Sequence, residues 1–554
     1  MRCRRLLEIV SCLGILLCGC RTFCSERPEH PDLSGRPKHS ERLDTASACT
    51  DWRWIAIKSR PEVHCPEVPG WTVSSLFSQV APVERECSPK PYPGEGPSLK
   101  VIRELNRFCV YEITDRSKKL RDLPFPPSVS ADLVRFDQDC AALSVSADPT
   151  PNVTPWPWEQ YSEQFLAQAG KPKTPMIIDG HPRVRLAFLD NHPTGTGVPA
   201  WAPHVRQHGY TLAHIARNLL CSPESPEHCA ALITTQLALP ISKFDPKNPQ
   251  NYETDTTHGG YLGLQSDVAK AIWEEVRDWQ KDRQRPGWPQ HLVLNLSLAW
   301  DGNLFGGLDE GQLSELRAGT QAVYRSLEYA AGFDTLVLAA AGNRKRAPCS
   351  NLGPLLPAAW EMGGSPEESC HELHAPLVYA VGALGSKRKL LDNSREAAMP
   401  QRAAFGEGAV VPSERPDQPT ALYSGTSIST AVVSSIAAAV WHFLPGLTSR
   451  QLMQLLDESG ADLGYPADFW FGSKAIPPTS APTVHLLSFC SVLQDVCTKK
   501  GLSPCPVSSC ESRKQERVLP DGYNTLAPGS CQPWVYPQPE DPPCPNPGCH
   551  DTGG

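Results

Sequence analysis

SGTSISTAVVSSIAAAV, residues 424–440, opens polar and tight and then becomes an unbroken run of small and apolar residues. A segment apolar or small nearly all round, here through Trp441, belongs inside a protein, because a surface helix keeps one polar face. The stretch therefore predicts a buried helix, with a glycine-led turn delivering Ser427 to its start. A serine at that position is commonly a cap and nothing more. Whether Ser427 is also reactive depends on what the rest of the chain sends to the same helix end.

Working outward, five continuous apolar runs read as strands buried on both faces: VRLAFLD at 184–190, ALITTQLAL at 231–239, HLVLNLSL at 291–298, TLVLAAAG at 335–342 and LVYAVGAL at 377–384. Helical patterns lie between or after them, HGYTLAHIARNLL at 208–220, DVAKAIWEEVRDWQKD at 267–282 and GQLSELRAGTQAVYRSLEYA at 311–330. A further helix is predicted over 447–460, with Thr448 or Ser449 as N-cap. This alternation implies an α/β fold, a doubly wound parallel sheet with helices on both faces.

In open parallel sheets the reactive groups sit just beyond the carboxyl ends of strands. Those ends deliver Asp190, the segment Ser297, Leu298 and Ala299, and the pair Gly342 and Asn343; His208 with Gly209 opens a helix, and Gly425 and Thr426 lead to Ser427. An acid, an imidazole, an amide donor and a hydroxyl are the set that acyl transfer requires. A serine hydroxyl is a poor nucleophile until an imidazole takes its proton, and the imidazole needs a carboxylate to fix its tautomer. An asparagine amide can donate to the oxyanion of the tetrahedral intermediate, helped by the first amides of the helix behind Ser427. Gly425, lacking a side chain, lets backbone come close to substrate and adopt strained angles.

On these residues the chain resembles the subtilisin-like serine proteases. GTSIST at 425–430 resembles their serine motif, AAAGN at 339–343 their oxyanion motif, HGYTLAHI at 208–215 their histidine motif, LAFLDNH at 186–192 their aspartate motif, and VLNLSLA at 293–299 the strand that pairs with substrate. AFGEGAVVPS at 404–413 resembles the segment before the serine motif, and the likeness spans roughly 175 to 470. The resemblance implies a nucleophile at Ser427, a general base at His208, its orienting carboxylate at Asp190 and an oxyanion donor at Asn343. Ser297, Leu298 and Ala299 would bind an extended peptide as an added strand, with Gly342, Gly425 and Thr426 lining the same groove. The chain departs from the family pattern at Ala431, at Asn191 and His192, and at Tyr210 and His214. His181, His192, His204, His214 and His258 compete with His208 as the base. The opposing functional reading is an inactive member of the fold that binds extended peptides or partners.

The flanks carry different signals. MRCRRLLEIVSCLGILLCGC at 1–20 has three arginines before an apolar stretch too short to span a bilayer, which reads as an export signal. Its end, Leu17–Cys20, resembles a lipobox, which implies acylation of Cys20 and a membrane anchor; a plain cleaved signal is the alternative. Export to the cell envelope fits 21 cysteines, because disulfides persist in oxidising compartments. No later segment reads as apolar enough for a second span. The chain accordingly divides into a signal at 1–20, a tether at 21–50, a small Cys-containing α+β module or prosegment at 51–147, a Pro-rich linker at 148–174, a peptidase region at 175–475 and a Cys/Pro-rich tail at 476–554. The module's cysteines favour a permanent binding role over a removable prosegment. CPNPGCH at 544–550 offers only one Cys pair and one His for zinc. Family members often bind calcium, yet no carboxylate cluster matches a loop for it, so no cofactor and no metal site is assigned. A net charge of −8 without a basic face argues against nucleic acid. The expected partner is a protein or peptide substrate, and a monomer is expected.

Overall fold

The computed structural model describes residues 49–78, 96–113, 115, 123–144, 148–149, 158–172, 176, 178, 180–196, 207–222, 228–244, 252–302, 316–343, 353–361, 376–385, 388–391, 393–395, 397–412, 420–469, 482–507 and 510. At the centre, seven strands run parallel in the order Thr483–Leu486, Arg402–Phe405, Tyr379–Leu384, Leu336–Ala340, His291–Leu296, Val184–Asp190, Ala231–Leu237. Alternate side chains of these strands face opposite ways, and both sets are apolar. Ala187, Leu189 and Leu294 pack with Val268, Ile272 and Leu327 of helices Gln265–Asp282 and Ala318–Gly332. Leu186, Phe188 and Val293 pack with Leu212, Ile215 and Val432 of helices Gln207–Leu220 and Thr426–Phe443. The continuous hydrophobic runs of the sequence thus become strands with helices on either side.

The helix that begins the reading, Thr426–Phe443, is buried from Thr426 through His442. Its length and mean hydropathy of 1.3 are those of a membrane span. The sequence reading, that no later segment is apolar enough, is corrected here; the helix's 94% burial within the fold, packed against six strands of the sheet, makes it a core helix. Helix Ser449–Ser459 starts at Thr448, whose hydroxyl accepts from the Gln451 amide in a capping box, an arrangement worth about 1 kcal/mol.

The N-terminal module does not stand apart. Strands Cys49–Lys58, Trp71–Ser75, Phe108–Ile113 and Leu133–Ser144 form an antiparallel sheet, and disulfides Cys49–Cys140 and Cys65–Cys109 close within it. The last strand continues past the module, pairing through Ala141–Leu143 with Leu262–Leu264 and through Leu143 and Ser144 with Leu298 and Ala299. One mixed-origin sheet of eight strands results, and all described residues lie in one unit, Thr45–Gly554.

The seam between module and helices is an apolar core, where Ile55, Phe77 and Phe108 pack with Trp273, Val276 and Leu327, edged by a polar strip at the helix starts. Asp137 accepts from the Ala318 amide at 2.8 Å, and Asp139 accepts from the amide and hydroxyl of Ser266, so each carboxylate serves the start of one helix. Arg53 reaches Glu112 at 2.6 Å and Asp267 at 2.7 Å. Burial pushes the Asp139 carboxyl up to about 7.

The boundary drawn at 475 also shifts. Strand Thr483–Leu486 completes the parallel sheet, and helix Phe489–Lys500 buries Phe489, Val492 and Val496 in the core, with Cys490–Cys510 and Cys497–Cys505 closing around it. Cys20, CPNPGCH and the tether up to residue 48 lie outside the described residues, while Cys49 and Thr50, drawn with the tether, begin strand Cys49–Lys58.

Candidate active site

Strand Val184–Asp190 ends at a carboxylate that is almost fully buried, and helix Gln207–Leu220 carries His208 in its first turn. Asp190 Oδ2 lies 2.9 Å from His208 Nδ1, while Asp190 Oδ1 accepts the Asn191 amide at 2.8 Å. That pairing leaves Nε2 as the imidazole's other nitrogen. Gly209 is required by space: a Cβ there would stand 2.9 Å from the Asp190 Cβ and 3.0 Å from the His192 Cβ.

Ser427 sits in the first turn of its helix, fully buried, and this helix packs directly on the one bearing His208. Ser427 Oγ and His208 Nε2 are both buried, and neither has a hydrogen-bond partner. An orphaned buried polar atom costs about 1–3 kcal/mol, and these two lie in the first turns of helices that pack against one another.

Asn343 lies just past strand Leu336–Ala340. Its Oδ1 accepts from the Thr426 amide at 3.0 Å and from the Thr426 hydroxyl at 3.1 Å, and the same hydroxyl accepts from the Gly342 amide at 3.2 Å. Holding Oδ1 in this way directs Nδ2 toward Gly425, where a Cβ would stand only 2.5 Å from it. Gly425 has an extended backbone, φ 163°. The sequence argument for strained angles is therefore corrected: glycine is needed there for closeness. Gly342, at φ +112°, does use the left-handed region. Thr426, read from sequence as a groove residue, has its hydroxyl engaged in orienting Asn343.

Ser297 Oγ donates to Asn295 Oδ1 at 2.9 Å and to the Ser427 carbonyl at 3.3 Å, tying the strand end to the helix that bears Ser427. Leu298 and Ala299 already carry an added antiparallel strand, the chain's own Ser144 and Leu143. Farther along, Asp148 and Pro149 pair with Ser424 and Tyr423, immediately before Gly425. Two described pieces of the N-terminal region, Ala141–Ser144 and Asp148–Pro149, thus pair beside the segments that the sequence marks for substrate, which no local pattern in the sequence announces.

Among the competing histidines, His192 Nδ1 contacts the Pro193 carbonyl and Thr235 Oγ1, His258 pairs with Asp255 on the surface, and His214 stacks on Tyr210. Burial lowers the pKa of both His192 and His214. His204 lies outside the described residues. Asn191 and Asn393 are polar site residues that the sequence reading did not single out for a role; Asn191 Oδ1 accepts from the Gly209 amide at 2.8 Å, and Asn393 Nδ2 donates to the Ser424 carbonyl at 3.0 Å. Among the described residues, no three His, Cys, Asp or Glu side chains gather to hold a metal.

Residues 290–472 match the subtilase family, peptidase S8, a segment that begins after Asp190 and His208 and includes Asn343 and Ser427. Mycosin-2 of Mycobacterium tuberculosis is 30% identical over 265 residues, 44% of each chain, so the chain spans less than half the length of this curated relative. Among solved structures, a lanthipeptide protease is 17% identical, covering 63% of this chain and 98% of its own at a TM-score of 0.38. Sphericase is 16% identical, covering 59% and 100% at a TM-score of 0.34.

Proposed function

From the premise that the chain carries a subtilase-family domain, we propose that it is an exported serine endopeptidase working through an acyl-enzyme on Ser427. The observation that carries the reading is the buried Asp190–His208 pair at 2.9 Å, packed against a helix whose Ser427 hydroxyl has no partner. Ser427 Oγ attacks the carbonyl carbon and its proton passes to His208 Nε2. The carbon–nitrogen bond then breaks, and the same proton goes to the leaving amine. Water repeats the sequence, giving its proton to His208 and its hydroxyl to the acyl carbon, which frees Ser427. Asp190 keeps the imidazole oriented and balances its charge. Asn343 Nδ2 and the first amides of helix Thr426–Phe443 stabilise the oxyanion.

Substrate lies as an extended strand between Leu262–Leu264 and Leu298–Ala299. That position is filled by Ala141–Ser144, so the full-length chain is self-blocked, and the region before Ser144 acts as a prosegment rather than a lasting binding module. No cofactor enters the scheme, and calcium has no assigned site. Export, with Cys20 as a lipid anchor, rests on the first twenty residues and on the disulfides. A monomer suffices for the chemistry.

Binding an extended strand fits the inactive alternative equally well, so the test is chemical. A fluorophosphonate should label the processed protein at Ser427, with labelling lost in Ser427→Ala; folded, processed protein that stays unlabelled leaves the binding-module reading in its place. Sequencing the mature N-terminus separates the two fates of the module, since a start beyond Ser144 marks processing and a start at Cys20 marks retention.

A further inference from the structure

We propose that Asn191 is a positioning residue of the base, holding the Asp190 carboxylate and the His208 helix in one rigid unit; this rests on the hydrolase reading of the site. Asp190 and His208 are 18 residues apart in sequence and belong to different elements, the end of a strand and the first turn of a helix. Asn191 touches both sides. Its backbone amide donates to Asp190 Oδ1 at 2.8 Å, and its side-chain Oδ1 accepts from the Gly209 amide at 2.8 Å. Gly209 follows His208 directly, and its N–H is one of the first-turn donors with no partner inside the helix. Asn191 is therefore the helix's cap, supplied from the end of another element.

The placement leaves no slack. Asn191 is buried, and the Asp190 and His192 side chains approach Gly209 so closely that a methyl group there would not fit. Removing the side-chain acceptor frees the His208 turn to move away from the carboxylate that orients it. A shift of about 1 Å at a reacting group can cost about a hundredfold in rate. Asparagine accepts from the amide without placing a second negative charge beside the pair, as aspartate would.

The experiment measures fluorophosphonate labelling of the processed protein, with the maximal rate and the half-saturating probe concentration separated, across pH. Asn191→Ala should lower the maximal rate about 10- to 100-fold with half-saturation within about twofold, and should move the acid limb of the profile to lower pH as the imidazolium loses its partner. Asn191→Asp keeps the acceptor and adds charge, so it should restore most of the rate and move the acid limb to higher pH. Parent-like rates in Asn191→Ala, or equal losses in both variants with an unmoved acid limb, overturn the proposal and leave a merely structural cap. Should Asn191→Ala fail to fold, an unmoved acid limb in Asn191→Asp overturns it alone. If the parent itself does not label, the hydrolase reading has failed, and the role of Asn191 in it falls with it.

Discussion

Two carboxylate–imidazole pairs in this molecule share one distance, 2.9 Å, and almost nothing else. Asp255 and His258 are three residues apart in a turn, with side chains 29% and 48% exposed. Asp190 and His208 are 1% and 8% exposed and meet only because a strand end and a helix start are packed together. Asp255 is held acidic chiefly by the His258 backbone amide, a local effect that water screens and any peptide turn could imitate. The interior pair has no such screening. Its geometry is set by Asn191, Gly209 and the sheet, so a hydrogen bond of the same length fixes a buried ring in one place and decorates a surface in the other.

The sharpest way to break this contrast is Asp190→Asn, which keeps the shape but removes the charge. Turnover or labelling should fall by about 10⁴, the loss seen when the equivalent exchange is made in the serine protease template. Gly425→Ala follows, because the added methyl would stand 2.5 Å from Asn343 Nδ2. Displacing that donor should lower the maximal rate by about 10²–10³, measured with a small ester so that substrate length plays no part.

A third carboxylate, Asp139, tests burial without catalysis. Its pKa, pushed up to about 7 by desolvation, means that the docked state holds a proton the separated module gives up. Docking is then strongest at low pH and weakens as pH rises from about 4 through 7. After cleavage of the chain, the module should dissociate from the peptidase about a hundredfold more readily at pH 8 than at pH 5. Asp139→Asn should flatten that dependence, as read by size-exclusion or surface binding. The smallest effect belongs to Asp255→Asn, which should leave labelling within about twofold and stability within about 0.5 kcal/mol. A large loss there would erase the distinction between the two pairs.

What the sequence made legible follows the same line. Strands such as 291–296 and the helix from 426 announce themselves because burial on all sides demands continuous apolar residues. Asp190, His208, Asn343 and Ser427 stand out because each ends or begins such an element. Asn191 and Thr426 could have been found only as departures from or companions to a motif, since their work is done by hydrogen bonds across 18 and 83 residues of chain. The strand Leu133–Ser144 reads locally as one more module strand. That its last residues enter the groove depends on pairing with Leu262–Leu264 and Leu298–Ala299, partners more than 100 residues away. The core role of Thr483–Leu486 and Phe489–Lys500 was hidden by the prolines before them, which read as the end of a domain.

The two bridges in the N-terminal region, Cys49–Cys140 and Cys65–Cys109, both begin and end on the same side of the groove-filling strand. While the backbone is whole, that strand meets its groove at the millimolar effective concentration of any short tether. Once the backbone is cut beyond it, neither bridge holds the pieces together, and blockade turns from a property of one molecule into a matter of dilution. A secreted population would then wake faster the farther it spreads.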